Sequence, residues 1–222
     1  MTSWRRSRRS PIADGLRDRD LVRLYWPVEL RPAFDALFGI DDAMADVVAS
    51  STQPALGAIR LAWWREALER LDVNPPPPEP RLQAVAAELL PRGIKGADLA
   101  ALEAGWAGLL DEQPDIERIG TRGARLFSIA ARLLGEDDTR LDAAGRLYAY
   151  GEAFRKGWAP HFWPMEEMHM LARHRFARRL RPLTALARLA ARDVKNETSV
   201  EPEATPGRAA ALLSHRLFGT VA

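Results

Sequence analysis

The stretch GAIRLAWWREAL, residues 57–68, sets an arginine four positions ahead of the second of two adjacent tryptophans. Wound at about 100° per residue, Leu61, Trp64, Leu68 and Leu71 form one apolar stripe, widened by Ile59, Trp63 and Ala67. Arg65, Glu66, Glu69 and Arg70 take the rest of the circumference, as a solvated face should. Arg60 falls inside the apolar arc. The helix thus aims a guanidinium at its own core, and a buried charge requires a partner.

The same helical period extends in both directions, and strand alternation is absent. Helices are expected over 18–26, 31–50, 55–72, 81–91, 97–111, 115–135, 139–158, 166–180, 182–194 and 206–219. NPPPPEP (74–80) cannot be helical and reads as a stiff polyproline connector. VKNETSVEPEATPG (194–207) reads as a loop or polar tether. The expected organisation is all-α: a flexible basic arm over 1–15, one helical domain over 16–193, and a tether with an amphipathic helix over 194–222.

The opening MTSWRRSRRSP carries Arg5, Arg6, Arg8 and Arg9, but IADGLRDRD follows where an export signal would place its apolar segment. No run approaches the roughly 18 apolar residues needed to span a bilayer. A cytoplasmic protein is expected, or one peripheral to the inner membrane. Hydrophobic residues make up 47% of the 222, enough to bury a substantial core. The absence of cysteine excludes a disulfide, a thiolate metal site and a cysteine nucleophile. Net charge is only +2, yet 29 of the 32 basic residues are arginine, so local patches matter more than the sum.

Aspartates at i and i+4 on a helix can aim two carboxylates at one magnesium cluster. FDALFGIDDAMADVV (34–48) contains such a pair, Asp42 and Asp46. On the wheel, Phe34, Leu37, Phe38, Ile40, Met44, Val47 and Val48 set the buried arc, with Asp42 and Asp46 roughly 80° to 120° from Phe34. That is the expectation for a solvated acidic face. Asp41 differs, because it projects from the middle of the apolar arc. Its expected partner is Arg60 on the next helix, beneath Trp64, either as a core ion pair fixing helix register or as an anion-binding site.

RLYAYGEAFRKGW (146–158) supplies a third inward set: Tyr148, Gly151, Arg155 and Trp158 share a face, with Glu152 at its edge. Gly151 in mid-helix predicts close helix packing or room for a ligand. The histidines His161, His169, His174 and His215 show no metal-ligand spacing, and there is no nucleophile elbow, Walker loop or GxGxxG. ARHRFARRLRPLTALARLAARD (172–193) is basic and amphipathic, with Leu180, Leu183, Leu186 and Leu189 facing a core and Arg173, Arg175, Arg178, Arg179 and Arg181 outside. A solvated face, anionic lipid and RNA remain the readings of that stretch, the last disfavoured by sparse aromatic residues.

At these residues the chain resembles a known family. LRDRDLVRLYWPVELRPAFDALFGIDDAMADVVASSTQPALGAIRLAWWREALERL (16–71) is similar to the N-terminal half of squalene/phytoene synthase family proteins, and WWR after an arginine carries the likeness. It looks closest to a divergent bacterial branch similar to the mitochondrial complex I assembly factor with a phytoene-synthase-like fold. The resemblance implies an isoprenoid-synthase-like helical bundle around an apolar cavity, with two acidic motifs facing each other and magnesium bridging them to a prenyl diphosphate. Laid on the first motif, the family's aspartates fall at Ala45 and Ala49. Laid on the second, its asparagine falls at Trp158, its arginine at His161 and its first aspartate at Phe162, leaving Glu166 near the last acidic position. The tyrosine expected in IERIGTRGARL is missing.

The resemblance therefore implies a non-catalytic isoprenoid-binding or assembly-factor protein with Arg60, Trp64, Tyr148, Gly151 and Arg155 as ligand contacts and no cofactor. Its partners would be an isoprenoid or prenyl diphosphate and a membrane or membrane-complex subunit, with no nucleic acid. The alternative is an active magnesium-dependent prenyltransferase using Asp41, Asp42, Asp46, Glu166 and Glu167, with the metal on Asp42, Asp46 and Glu166. A helical interaction module without ligand is the third reading.

Overall fold

The computed structural model describes residues 17–159, 164–196 and 200–222. In chain order its helices are α1 (Asp18–Arg23), α2 (Arg31–Ser50), α3 (Pro54–Arg70), α4 (Pro80–Glu88), α5 (Gly96–Ala100), α6 (Glu103–Ala107), α7 (Ile116–Leu134), α8 (Leu141–Arg155), α9 (Met165–Leu171), α10 (Arg181–Lys195) and α11 (Pro206–Phe218). Among the described residues there is no strand, and the helices form one all-α domain.

Local chemistry sets the helix boundaries. Proline occupies the first turn of α2, α3, α4, α10 and α11, where its missing N–H leaves no orphan. Asp115 and Thr205 cap α7 and α11 by accepting from the Arg118 and Arg208 amides at 3.1 and 3.3 Å. Asp72, at the end of α3, reaches across to cap α5 through the Gly96 and Ala97 amides at 2.6 and 3.0 Å. Gly135 and Gly219 close α7 and α11 in the left-handed conformation.

Two expected helices are interrupted. The 97–111 segment breaks between α5 and α6, where the Ala101 carbonyl accepts from Arg125 Nη1 at 2.9 Å and the Gly105 amide turns to Leu102 instead. The 166–180 segment ends at Leu171. Arg173 turns left-handed, with φ at 64°, and Phe176 is buried with its amide donated to the Gly219 carbonyl.

Close backbone approach builds the centre. A Cβ on Gly145 would lie 2.4 Å from the Gly123 carbonyl oxygen, so α7 and α8 meet at a pair of glycines. A Cβ on Gly151 would meet that of Ala190 at 2.6 Å, which makes close packing of α8 on α10 the reason for that glycine. Against this frame Trp26, Phe34, Phe38, Tyr148 and Phe127 stack in sequence, with centroids 4.4 to 6.4 Å apart.

The C-terminal helix is held by a buried imidazole. His215, 1% exposed, donates from Nδ1 to the Thr220 carbonyl at 2.8 Å, which leaves Nε2 to face the Thr184 hydroxyl at 2.9 Å. Burial pushes its pKa down to about 4, against an ordinary 6.5, with Arg188 and Arg181 adding to the effect. Above pH 6.5 both states are neutral and stability is complete. As pH falls toward 4 only the unfolded chain takes the proton, so stability drops by about 3 kcal/mol. Urea unfolding across this range should show that loss in the wild type and a flatter profile in His215→Gln.

Candidate functional site

Between α1, α2, α8 and α10 lies a cavity of about 290 Å³. Its floor is Ala45, Tyr148, Gly151, Leu186, Leu189 and Ala190, and its rim carries Asp42 and Asp46 from α2, Glu152 and Arg155 from α8 and Asp193 from α10. Arg19, Arg81 and Arg208 stand among those carboxylates. Tyr148, Gly151 and Arg155, grouped on one helix face by the sequence, all line this cavity.

Each acidic side chain on α2, α8 and α10 meets an arginine. Asp42 is paired with Arg19 at 2.7 Å and Asp46 with Arg81 at 3.4 Å. Asp46 is exposed as expected; Asp42 is half-buried, because α1 lays Arg19 over it. The same Arg19 guanidinium sits over the Phe38 ring at 4.9 Å and reaches the Tyr148 hydroxyl at 3.4 Å. Asp193 is held by Arg208 through both carboxylate oxygens and by Arg155 at 3.1 Å.

Beneath the cavity runs a buried ionic chain. Arg122 Nη1 donates to both oxygens of Asp41 at 2.8 and 3.0 Å, and its Nη2 donates to Glu152 at 2.8 Å. Trp106 Nε1 donates to Asp41 at 2.9 Å, and the Arg122 guanidinium lies 3.8 Å from the Trp106 ring centroid. Asp41 is wholly buried and Arg122 1% exposed. Burial holds the Glu152 carboxyl above the ordinary range, with Arg122 opposing it; burial also pushes the Tyr148 hydroxyl well up.

The expected Asp41–Arg60 pair is overturned. Arg60 is exposed and donates to Ser50 Oγ at 3.1 Å. Its wheel position is inside the arc of Leu61, Trp64 and Leu68, all buried. It sits, however, in the early turns of α3, beside Ser50 at the end of α2, and is exposed there among the described residues. Ile59 and Trp63, expected to widen the stripe, are likewise exposed, at 67% and 49%. Trp64 is buried in the α3 core face, and neither Arg60 nor Trp64 lines the cavity.

Glu166 and Glu167 do not join Asp42 and Asp46. Glu166 is exposed, and Glu167 is buried on α9, where burial raises its pKa and the neighbouring charges are Glu166, Arg146 and Asp142. Asp142 and Arg146 lie on α8 ahead of Tyr148, and neither they nor Glu166 and Glu167 line the cavity. Asp41 is sealed below the cavity by Arg122. His161 and Phe162 fall outside the described residues.

Magnesium needs several carboxylate oxygens converging without a tight cation partner. No cluster of that kind exists among the described residues, and the rim carboxylates are committed to guanidinium groups, so the donor set does not fit the ion.

Arg122, the hub of the buried chain, was missed in the sequence, although its position there was informative. It lies three residues after Ile119 and four before Leu126, on the apolar face of α7. Trp106 and Arg208 carried no comparable signal. Among the described residues no helix is long and apolar enough to cross a membrane. No family model matches the chain, and no curated protein or solved structure matches it significantly. Fold and site thus define an all-α protein whose cavity is walled largely by paired arginines and carboxylates, in place of the apolar lining expected.

Proposed function

We propose that this chain is a non-catalytic, squalene/phytoene-synthase-like binding protein whose cavity receives the polar head of one isoprenoid ligand. The observation that carries this reading is that α2 and α8 face one another across the cavity, while each of their rim carboxylates is already neutralised by an arginine. The facing arrangement is what the resemblance implies for the two acidic motifs; the neutralisation leaves nothing to stabilise a departing diphosphate by metal. Arginines engaged on one edge keep further N–H donors for an anionic group.

Incubation with farnesyl or geranylgeranyl diphosphate and magnesium should release no pyrophosphate, with a true synthase as positive control. Farnesyl diphosphate at about a hundredfold excess over Kd should add about 2.7 kcal/mol of stability, read as a Tm rise of roughly 5–10 °C at this chain length. Chelation of magnesium should leave that rise unchanged. Magnesium-dependent release would overturn the reading, as would an unmoved Tm with farnesyl diphosphate, farnesol and inorganic pyrophosphate alike.

A further inference from the structure

Two segments of the chain, residues 168–192 and 204–222, contain nine arginines and no aspartate or glutamate. The fold packs them together. The Phe176 amide donates to the Gly219 carbonyl at 2.9 Å, and Arg181 Nη1 donates to the Arg216 and Leu217 carbonyls at 2.9 Å. Four of the nine are used internally: Arg181 on those carbonyls, Arg188 on the Val221 carbonyl, Arg192 on Glu201 and Arg208 on Asp18 and Asp193. The remaining Arg173, Arg175, Arg178, Arg179 and Arg216 are exposed and have no carboxylate partner among the described residues. Arg216 rests over the Tyr25 ring at 4.9 Å, and the nearby Asp138 is occupied by His174 at 2.9 Å.

Beside Arg216, α11 presents large apolar side chains to solvent. Leu213 and Leu217 are 53% and 62% exposed one helical turn apart, and Phe218 follows at 57%. Exposed leucine and phenylalanine beside unpaired arginines is an unfavourable combination in water alone. It matches an interface in which apolar groups enter the acyl boundary and guanidinium groups meet phosphates.

We propose that this surface, formed by the end of α11 and the 172–180 loop, docks the protein peripherally on an anionic phospholipid bilayer. Nucleic acid would use the arginines but leave Leu213, Leu217 and Phe218 in water, and no aromatic residue besides Phe218 is exposed there for base stacking. The surface is separate from the cavity, so this inference does not depend on the cavity's ligand.

The test is co-sedimentation of the full chain with phosphatidylcholine vesicles and with vesicles containing phosphatidylglycerol in equal parts. Binding is expected only to the anionic vesicles, weakening as salt rises. Arg178→Ser with Arg179→Ser should cut the partition constant about thirtyfold, the equivalent of roughly 1 kcal/mol for each arginine. Leu217→Ser with Phe218→Ser should lower it at all salt concentrations, with far-UV circular dichroism verifying the fold of each variant. Replacing Arg5, Arg6, Arg8 and Arg9 by serine controls for the N-terminal arm. Loss of binding in that control alone would overturn the assignment, as would RNA binding without vesicle binding, or equal sedimentation with neutral vesicles.

Discussion

Arg122→Met is expected to lower the unfolding free energy by about 3–5 kcal/mol, the usual consequence of stranding a buried charge. Asp41 has no exposure, and in the variant it would keep only the Trp106 indole N–H at 2.9 Å. Glu152 would also lose its 2.8 Å partner. At 2–4 °C per kcal/mol for a chain of this size, the fall in Tm is roughly 6–20 °C. Asp41→Ala should cost about 3 kcal/mol or more, leaving Arg122 with Glu152 alone. Combining Asp41→Leu with Arg122→Met should recover part of the loss, because it removes the Asp41 and Arg122 charges together while still leaving Glu152 without its 2.8 Å partner and Trp106 Nε1 without its acceptor. Arg60→Ala is the control. An exposed residue donating to one serine hydroxyl should change stability by no more than about 0.5 kcal/mol. A Tm for Arg122→Met indistinguishable from wild type would refute the ionic chain, and a large fall for Arg60→Ala would restore the partner that the sequence favoured.

That control marks where the sequence stopped being legible. Helical period placed α2, α3, α7, α8 and α11 within a few residues, because their apolar stripes and proline or glycine boundaries are local properties. The buried status of Asp41 was equally readable, since its neighbours Leu37, Phe38, Ile40 and Met44 are core residues. Its partner was not. A wheel gives the direction of a side chain and says nothing about what lies opposite. Arg60 points along the buried arc but overhangs the end of the helix pair; Arg122 comes from a helix 81 residues away in sequence. The interruptions at Ala101 and Leu171 belong to the same class, being set by Arg125 and by the Phe176–Gly219 contact rather than by local propensity.

The second large effect is expected for Arg208→Met, and it differs in kind because it is regional. Arg208 is 1% exposed and joins three helices: α11, which carries it, α10 through Asp193, and α1 through Asp18 at 2.6 Å. Its removal strands two carboxylates, but each retains a second partner. Asp193 keeps Arg155 at 3.1 Å, and Asp18 keeps the Ala204 amide at 2.9 Å. The loss should therefore fall near 3 kcal/mol, the lower end of the range for broken buried pairs. It should also appear first at the chain ends. Amide exchange ought to accelerate in α1 and α11 while α7 and α8, locked by Gly123 against Gly145, stay protected. Arg208→Lys preserves the charge but cannot satisfy both carboxylates with one planar fork, so it should restore only part of the stability. Asp18 and Asp193 also line the cavity, so stabilisation by farnesyl diphosphate should weaken in Arg208→Met. Uniform acceleration of exchange across α7, α8 and α11 would instead mean that the helices unfold as one unit, with Arg208 a core contact like any other.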